Sequence, residues 1–464
     1  MPKLDPTTHE FREAAHKAVD WIADYFENID SYPVLSRLQP GDVAAQFAGA
    51  ASNDGKPYDT LLTEFREKIL PGITHWNHPS FFAYFSVTGS QAGLIGELLT
   101  AAINSNGMLW KTSPAMTELE TLALGWLRDA LGLPSNLFGI INDTASVNVF
   151  LALAAAREAL GLDIRKEGMT GRDLPPLRVY CSEHAHSSVD KGALALGFGA
   201  KNIVKIASDD EFRMRPEKLQ EAIQRDRAAG ALPCVVVATT GTTSTGAVDS
   251  VRAIGEIAKR ENCWLHVDGA YAGSATICPE FRFLWDGVAE YADSIVVNPH
   301  KWLFTQIDCS VLYTRRPEVL REMFSLAAVP AYLTTTDTAE INYMDYGIQL
   351  GRRFRALKLW MVLEHYGIER IRSVIREQVQ YAERLADELR KRGGVEVLSQ
   401  SFSVVVFRLK AGDEATMALE ERMNASGKLF VSHTTLRGQY GIRVAIGNGA
   451  TEWRHVSAIL EFLG

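Results

Sequence analysis

Four segments of the chain place a reactive side chain just after a short apolar run. They are LRVYCSEHAHSS (177–188), CVVVATTGTTSTG (234–246), CWLHVDGAYAG (263–273) and SIVVNPHKW (294–302), which carry His186, Thr243, Asp268 and Lys301. Such runs, alternating with helical patterns, predict a largely parallel sheet that helices cover on both faces. Ligands of these sheets sit beyond the carboxyl ends of the strands. We therefore expect the four side chains to meet in one site.

A fifth segment, NDTAS (142–146), is a turn of small polar residues that precedes the helical run VNVFLALAAAR. Its position predicts free backbone N–H groups at a helix N-terminus, which favour an anion. A lysine that can lose its proton, a carboxylate, a flat ring and an anion site have pyridoxal 5'-phosphate (PLP) as their joint explanation. The lysine forms a Schiff base, the carboxylate pairs with the pyridine nitrogen, and the helix end holds the phosphate.

Five segments in sequence order resemble the group II PLP-dependent decarboxylases, and within them the aromatic-L-amino-acid decarboxylases. They are SPAMTELE (113–120), AHSS (185–188), HVDGAYAG (266–273), NPHKW (298–302) and LGRRFRALKLW (350–360). The resemblance spans most of the chain. It implies an α/β protein of fold-type I, with a mostly parallel seven-stranded sheet in the large domain and a small α+β domain at the C-terminus. It also implies decarboxylation of an aromatic L-amino acid to the corresponding amine.

The resemblance assigns roles residue by residue. It implies that Lys301 forms the internal aldimine and that His186 stacks on the cofactor ring. Tyr332 lies in AVPAYLTTTDT (328–338), whose small polar residues predict a mobile loop. The resemblance implies that this loop closes over the partner's site. Tyr332 would protonate Cα of the carbanion-like quinonoid after carbon dioxide leaves. Relatives with phenylalanine there resemble aldehyde synthases. The implied cofactor-binding residues are Ala145, Ser146, His186, Thr243, Asp268, Ala270, Asn298, His300 and Lys301.

The segment WNHPSFFAYF (76–85) resembles the aromatic pocket wall of the same family. Gly351 stands where plant relatives carry Gly or Ser, and Gly leaves room for a larger ring. We therefore expect a preference for indole or plain aryl side chains over tyrosine. The implied substrate-binding residues are Trp76, Tyr84, Phe85, Val87, Thr88 and Gly351, with Met108 and Trp110 from the opposite subunit.

The sequence leaves alternatives open, and two departures from the family pattern motivate one of them, a PLP-binding protein without activity. Asp143 precedes the phosphate turn, and Val147 stands where relatives have Glu. The other alternative is an aldehyde synthase, or an aminotransferase in which Arg443 grips the substrate carboxylate.

Composition narrows the function classes. The chain has 464 residues, 47% of them hydrophobic, and a formal net charge of -8, so it has no basic excess for nucleic acid. Its five scattered cysteines indicate a reducing compartment, and we expect a cytoplasmic protein without a secretion signal or membrane segment. The histidine pairs His75/His78 and His184/His186 lack matching ligands, so no metal is expected.

The elements around the site predict three domains. Residues 1–85 are expected to form a helical segment that packs on a partner subunit, beginning with a capping box at Thr7 and Glu10. Residues 86–360 form the large PLP-binding domain and residues 361–464 the small domain. The resemblance implies a homodimer with shared active sites.

Overall fold

The computed structural model of the protein describes residues 7–47, 49, 51, 53–325 and 340–464. Two sheets organise these residues. The large sheet has seven strands in the order β1-β7-β6-β5-β4-β2-β3. Its strands are β1 Phe138–Asn142, β2 Leu177–Ser182, β3 Ile203–Ile206, β4 Leu232–Thr239, β5 Trp264–Asp268, β6 Ser294–Val297 and β7 Ser310–Thr314.

The large sheet is mostly parallel. Only β7 runs against its neighbours, β1 and β6, so β1 and β6 point the same way as the rest. The carboxyl ends of β1, β2, β4, β5 and β6 consequently lie along one edge. This arrangement confirms the fold class predicted from the sequence.

The described residues contain sixteen α-helices. Those before β4 are α1 Thr8–Glu27, α2 Asp42–Ala45, α3 Tyr58–Glu64, α4 Gln91–Ile103, α5 Pro114–Leu131, α6 Ala145–Glu158, α7 Ile164–Glu167, α8 Ser188–Ala195 and α9 Pro216–Ala228. The others are α10 Val251–Arg260, α11 Val288–Tyr291, α12 Pro299–Trp302, α13 Pro317–Phe324, α14 Arg355–Arg390, α15 Asp413–Ala425 and α16 Trp453–Glu461. None of them is long and apolar enough to cross a membrane.

Helices cover both faces of the large sheet because its strands are apolar on both sides. Along β4, Val235 and Val237 pack into the cluster that contains α6 and α8. The alternate residues Val236 and Ala238 pack into the cluster that contains α5, α10 and part of α14. Since successive side chains of a strand point to opposite faces, this run of buried residues fixes the sheet as the middle of three layers.

The small sheet is antiparallel, in the order β10-β11-β9-β8, and follows the long helix α14. Its strands are β8 Val395–Ser401, β9 Val404–Leu409, β10 Ser432–Leu436 and β11 Gln439–Ala445. Helix α14 contains a non-helical residue, Gly367. It also runs across the predicted boundary at 360, so the division into three domains stays a prediction. The capping box predicted at Thr7 and Glu10 is confirmed.

Candidate active site

The polar segments after the strands of the large sheet surround one cavity of about 200 Å³. All nine predicted cofactor-binding residues line it, which places residues from five separate segments of the chain around one space. The lining also includes Phe85, Thr144, Ser188, Thr239, Gly241 and Tyr271.

Lys301 projects from the short helix α12, which begins directly after β6. Its backbone N–H donates to the carbonyl of Asn298 at 3.0 Å, and this bond closes the turn. The ammonium nitrogen lies 5.0 Å from the centre of the Phe85 ring. Burial lowers the pKa of Lys301, Asp268 opposes that effect, and Arg443 adds to it. A buried lysine with a lowered pKa supplies the neutral amine that can attack an aldehyde.

Asp268 is the last residue of β5 and is buried. Its Oδ1 accepts the backbone N–H of Ala270 at 3.1 Å, which orients the carboxylate at the strand end. The neighbouring His266 is neutral, since burial lowers its pKa to about 4. Asp268 is thus the carboxylate in the cavity lining, close enough to Lys301 to act on its pKa, and it is suited to pair with a positively charged nitrogen.

The His186 ring lies in the turn between β2 and α8. Its Nδ1 accepts the backbone N–H of Ser188 at 3.2 Å and lies 2.9 Å from the Ser188 hydroxyl. Burial, with the nearby Lys301, lowers the pKa of His186, which favours the neutral ring. Since Nδ1 acts as an acceptor, the proton of that neutral ring sits on Nε2.

One end of the cavity is built to receive an anion. Ala145 and Ser146 are the first two residues of α6, where backbone N–H groups have no partner within a helix. Asn298 and His300 also line the cavity. Burial lowers the pKa of His300 to about 3. Its Nδ1 accepts the N–H of Cys309 at 3.0 Å, which leaves an Nε2 proton to donate.

Asp143, the acid that departs from the family pattern, does not line this cavity. Its Oδ1 accepts the N–H of Thr144 at 2.5 Å, and its Oδ2 lies 3.4 Å from Gln349 Nε2. The carboxylate therefore braces the turn before α6.

An aromatic stack supports the cavity floor. Phe85 lies 3.9 Å from Tyr271 and Tyr271 lies 4.8 Å from Trp302, measured between ring centroids. The Arg443 guanidinium lies 4.5 Å from the Phe85 ring centre, and its Nε donates to the carbonyl of Thr243 at 2.8 Å. Arg443 also bonds to the carbonyl of Tyr84. These contacts hold the aromatic wall against the Thr243 loop.

Among the described residues, Phe85 is the one predicted substrate-binding residue that lines this cavity. Tyr84 is 55% exposed and stacks on Trp76 with ring centres 5.8 Å apart. Thr88 is buried and donates to the carbonyl of Gly447 at 3.2 Å. Val87, Met108, Trp110 and Gly351 lie outside the lining, and Tyr332 lies outside the described residues. Their roles stay predictions.

Several lining residues were missed from the sequence. Tyr271 and Ser188 stand inside the quoted segments HVDGAYAG and AHSS, so the segments themselves were the available signal. Gly241 has φ +97°, and a Cβ there would lie 2.5 Å from Ala272 Cβ, which explains the glycine at this turn.

The sequence and the fold of this chain match known proteins. The family model described as "Pyridoxal-dependent decarboxylase conserved domain" matches residues 40–410. Tryptophan decarboxylase 2 of Oryza sativa subsp. japonica is 39% identical over 473 residues, covering 98% of this chain and 94% of that protein. Phenylacetaldehyde synthase of Arabidopsis thaliana is 40% identical over 468 residues, covering 97% of this chain and 94% of that protein. The crystal structure of Oryza sativa TDC with PLP and tryptamine superposes with a TM-score of 0.94 at 39% identity. The match covers 99% of this chain and 98% of the chain in that structure.

Proposed function

The chain belongs to the pyridoxal-dependent decarboxylase family and uses PLP, and from that premise we propose that it decarboxylates an aromatic L-amino acid to the corresponding arylalkylamine. One observation carries the proposal. A buried lysine, a carboxylate, a neutral imidazole and an anion-binding helix end line a single cavity of about 200 Å³.

The residues present fit the cofactor at each of its ends. Ala145, Ser146, Asn298 and His300 would hold the phosphate, and Asp268 would face the pyridine nitrogen. When bound, PLP supplies a protonated ring that withdraws electrons from the substrate Cα as the bond to the carboxylate breaks. Asp268 keeps that proton in place through its negative charge, and His186 offers a flat neutral ring beside Thr243 and Ala270.

Lys301 would bind the cofactor covalently. Because burial lowers its pKa, a larger fraction of Lys301 is the free amine at neutral pH than for an exposed lysine. Asp268 limits this effect, so the carboxylate serves both the cofactor nitrogen and the lysine. Lys301→Ala is therefore expected to lose turnover while the fold remains.

Tyr332 would donate the proton that completes the amine, as the resemblance implies. A tyrosine hydroxyl delivers a proton to Cα once carbon dioxide has left. Tyr332→Phe removes that donor. The expected products of this variant are the aldehyde, carbon dioxide, ammonia and hydrogen peroxide, with dioxygen consumed as the oxidant and water as the source of the aldehyde oxygen.

For the substrate we propose an indole or plain aryl side chain. Phe85 gives the cavity one aromatic side chain, Trp76 and Tyr84 would extend that wall as the resemblance implies, and Gly351 contributes no hydroxyl to meet a phenol. A missing contact of this kind changes preference by about 1–3 kcal/mol, or about 10- to 200-fold.

We also propose a homodimer with shared sites. Helix α1 buries none of its side chains, and Phe11 and Val19 are exposed on it. Helix α4 exposes Ile95, Leu98, Leu99 and Ile103. Apolar faces of this extent favour cover by a second copy. Met108 and Trp110 would then reach the partner's site. Each subunit would consist of three domains, residues 1–85, 86–360 and 361–464.

Subunit mixing tests the shared site. Lys301→Ala and Tyr332→Phe are each expected to make no amine, but a hybrid of the two has one intact Lys301–Tyr332 pair if Tyr332 crosses between subunits. Amine formation should return when the two variants are unfolded and refolded together. If hybrids form but the mixtures make no amine, the result would contradict a shared site.

A reducing compartment, consistent with the predicted cytoplasm, is proposed from the cysteines. All five are free and buried. Burial raises the pKa of each thiol, which keeps it unreactive.

Product analysis tests the reaction. The PLP-loaded protein is offered tryptophan, phenylalanine, tyrosine, DOPA, histidine and glutamate separately, and amine, aldehyde, keto acid and carbon dioxide are quantified. Amine equal to carbon dioxide from the aromatic substrates supports the proposal. Aldehyde with peroxide indicates an aldehyde synthase, keto acid without carbon dioxide indicates an aminotransferase, and no product indicates an inactive protein.

A further inference from the structure

Behind the anion end of the cavity, four buried side chains form a continuous hydrogen-bonded row. Asn142 Nδ2 donates to Asn148 Oδ1 at 2.7 Å, and Asn148 Nδ2 donates to Ser310 Oγ at 2.7 Å. Ser310 Oγ then donates to Asn298 Oδ1 at 2.5 Å. We call this row the amide chain. It ends at Asn298, the one member that lines the cavity.

The amide chain joins the two halves of the anion end. Asn142 and Ser310 are cross-strand partners at the ends of β1 and β7. Asn148 lies on the first turn of α6, whose opening residues Ala145 and Ser146 carry the free N–H groups. The chain therefore ties the helix that presents backbone donors to the turn that presents Asn298.

The direction of these bonds determines what Asn298 presents. The Ser310 hydroxyl has one proton, and it is given to Asn298 Oδ1 because Asn148 Nδ2 already donates to the same oxygen. With Oδ1 occupied on the inner side, the Asn298 amide is left with its two N–H donors for the cavity. A phosphate only accepts hydrogen bonds, so this is the orientation it needs.

All four side chains are nearly inaccessible, with 0% to 4% of their surface exposed, so water does not compete for these bonds. A buried amide that lost its partner would leave an unsatisfied donor or acceptor, which is costly. The chain is thus a rigid support that holds one amide in one of its two orientations.

We propose that Ser310, Asn148 and Asn142 are positioning residues for the cofactor phosphate, which act by fixing the Asn298 amide with its NH2 group toward the cavity. This inference rests on the proposed function, because that proposal places the phosphate at Asn298. None of the three touches the cofactor directly in this scheme.

Ser310→Ala tests the proposal by removing the hydroxyl that holds Asn298 Oδ1. Apoprotein is titrated with PLP and, separately, with pyridoxal, which lacks the phosphate, and affinity is read from absorbance. PLP affinity should fall about tenfold, as when one hydrogen bond to a charged group is weakened, while pyridoxal affinity stays within about twofold. A merely structural role would weaken both ligands alike.

Two further variants keep the test decisive. Asn148→Val/Ser310→Ala moves the unpaired amide donor from Asn148 to Asn142, one step further from the cavity, and should show the same phosphate-selective loss because Asn298 Oδ1 again lacks its partner. Asn424→Ala is the matched control, because Asn424 also makes two hydrogen bonds, to Val431, but lies in the small domain. It should leave both affinities unchanged.

The outcomes separate this inference from its premise. If Asn298→Ala loses PLP affinity but Ser310→Ala does not, the positioning role of the amide chain is overturned while the phosphate placement stands. Equal losses for PLP and pyridoxal in Ser310→Ala would overturn it as well. No phosphate-selective loss in Asn298→Ala itself would overturn the placement of the phosphate and, with it, the inference.

Discussion

The buried ion pair between Arg352 and Glu120 leads to a quantitative stability prediction. Arg352 Nη2 lies 2.7 Å from Glu120 Oε1 and donates to the carbonyl of Ile141 at 2.8 Å. The same carboxylate oxygen accepts the N–H of Ile141 at 2.9 Å. The two side chains are 5% and 7% exposed. The pair therefore clamps the end of β1, just before the turn that leads to Ala145.

Arg352→Met keeps an apolar stem and removes the charge, which leaves the Glu120 carboxylate buried without its cation. Breaking a buried pair in this way costs about 3–5 kcal/mol of unfolding free energy. The adjacent Arg353 provides a matched control. It is 49% exposed and pairs with Glu97, which keeps Lys358 as a second partner at 2.5 Å. Arg353→Met should therefore cost about 1 kcal/mol or less.

Denaturant unfolding of the apoproteins, followed by fluorescence and circular dichroism, measures the difference. The Arg352→Met midpoint should fall well below that of Arg353→Met. Glu120→Gln added to Arg352→Met should recover at least half of the loss, because Gln still accepts the Ile141 N–H without burying a charge. Equal losses in the two single variants, or no recovery in the double variant, would refute the reasoning.

Three further predictions concern the site. Gly351→Ser should leave the thermal midpoint unchanged, since an added Cβ meets nothing nearer than Asn106 Nδ2 at 3.7 Å, while kcat/KM for tyrosine relative to tryptophan rises about tenfold. With a pKa lowered to about 3, His300 stays neutral above pH 5, so PLP affinity in the wild type and in His300→Asn should show the same pH slope between pH 6 and pH 8. Arg443→Met should raise the pKa of Lys301, because the Arg443 charge lowers that pKa. The apoprotein reacts with pyridoxal faster as pH rises, and in this variant the increase in rate should occur at higher pH. An unchanged tyrosine preference, a steeper slope in the wild type, or an unmoved pH profile would contradict the respective prediction.

The cavity could be anticipated from the sequence because parallel strands bring their carboxyl ends to one edge. Asp268 and Lys301 follow β5 and β6, which are neighbours in the sheet, so local pattern was enough to place them together. His186 and Thr243 follow β2 and β4 at the same edge. The roles of individual residues came from the resemblance, since spacing alone does not distinguish a cofactor lysine from a solvated one.

Partners that are distant in sequence could not be anticipated. Glu120 and Arg352 both stand in segments that were singled out, SPAMTELE and LGRRFRALKLW, yet nothing in either segment names the other as its partner. The amide chain is similar, because Asn148 and Ser310 are 162 residues apart and meet only when α6 packs over β7. Periodicity gives the face of an element but not the side chain that it will contact.

The most direct test of the central claim is the location of the cofactor bond. The PLP-loaded protein is reduced with borohydride, which fixes a C=N bond irreversibly, then digested and mapped by mass spectrometry. The cofactor-derived mass should be found on the peptide that contains Lys301, and Lys301→Ala should carry none. Labelling of another lysine at full stoichiometry, or unchanged labelling of Lys301→Ala, would contradict the assignment of this cavity as the active site.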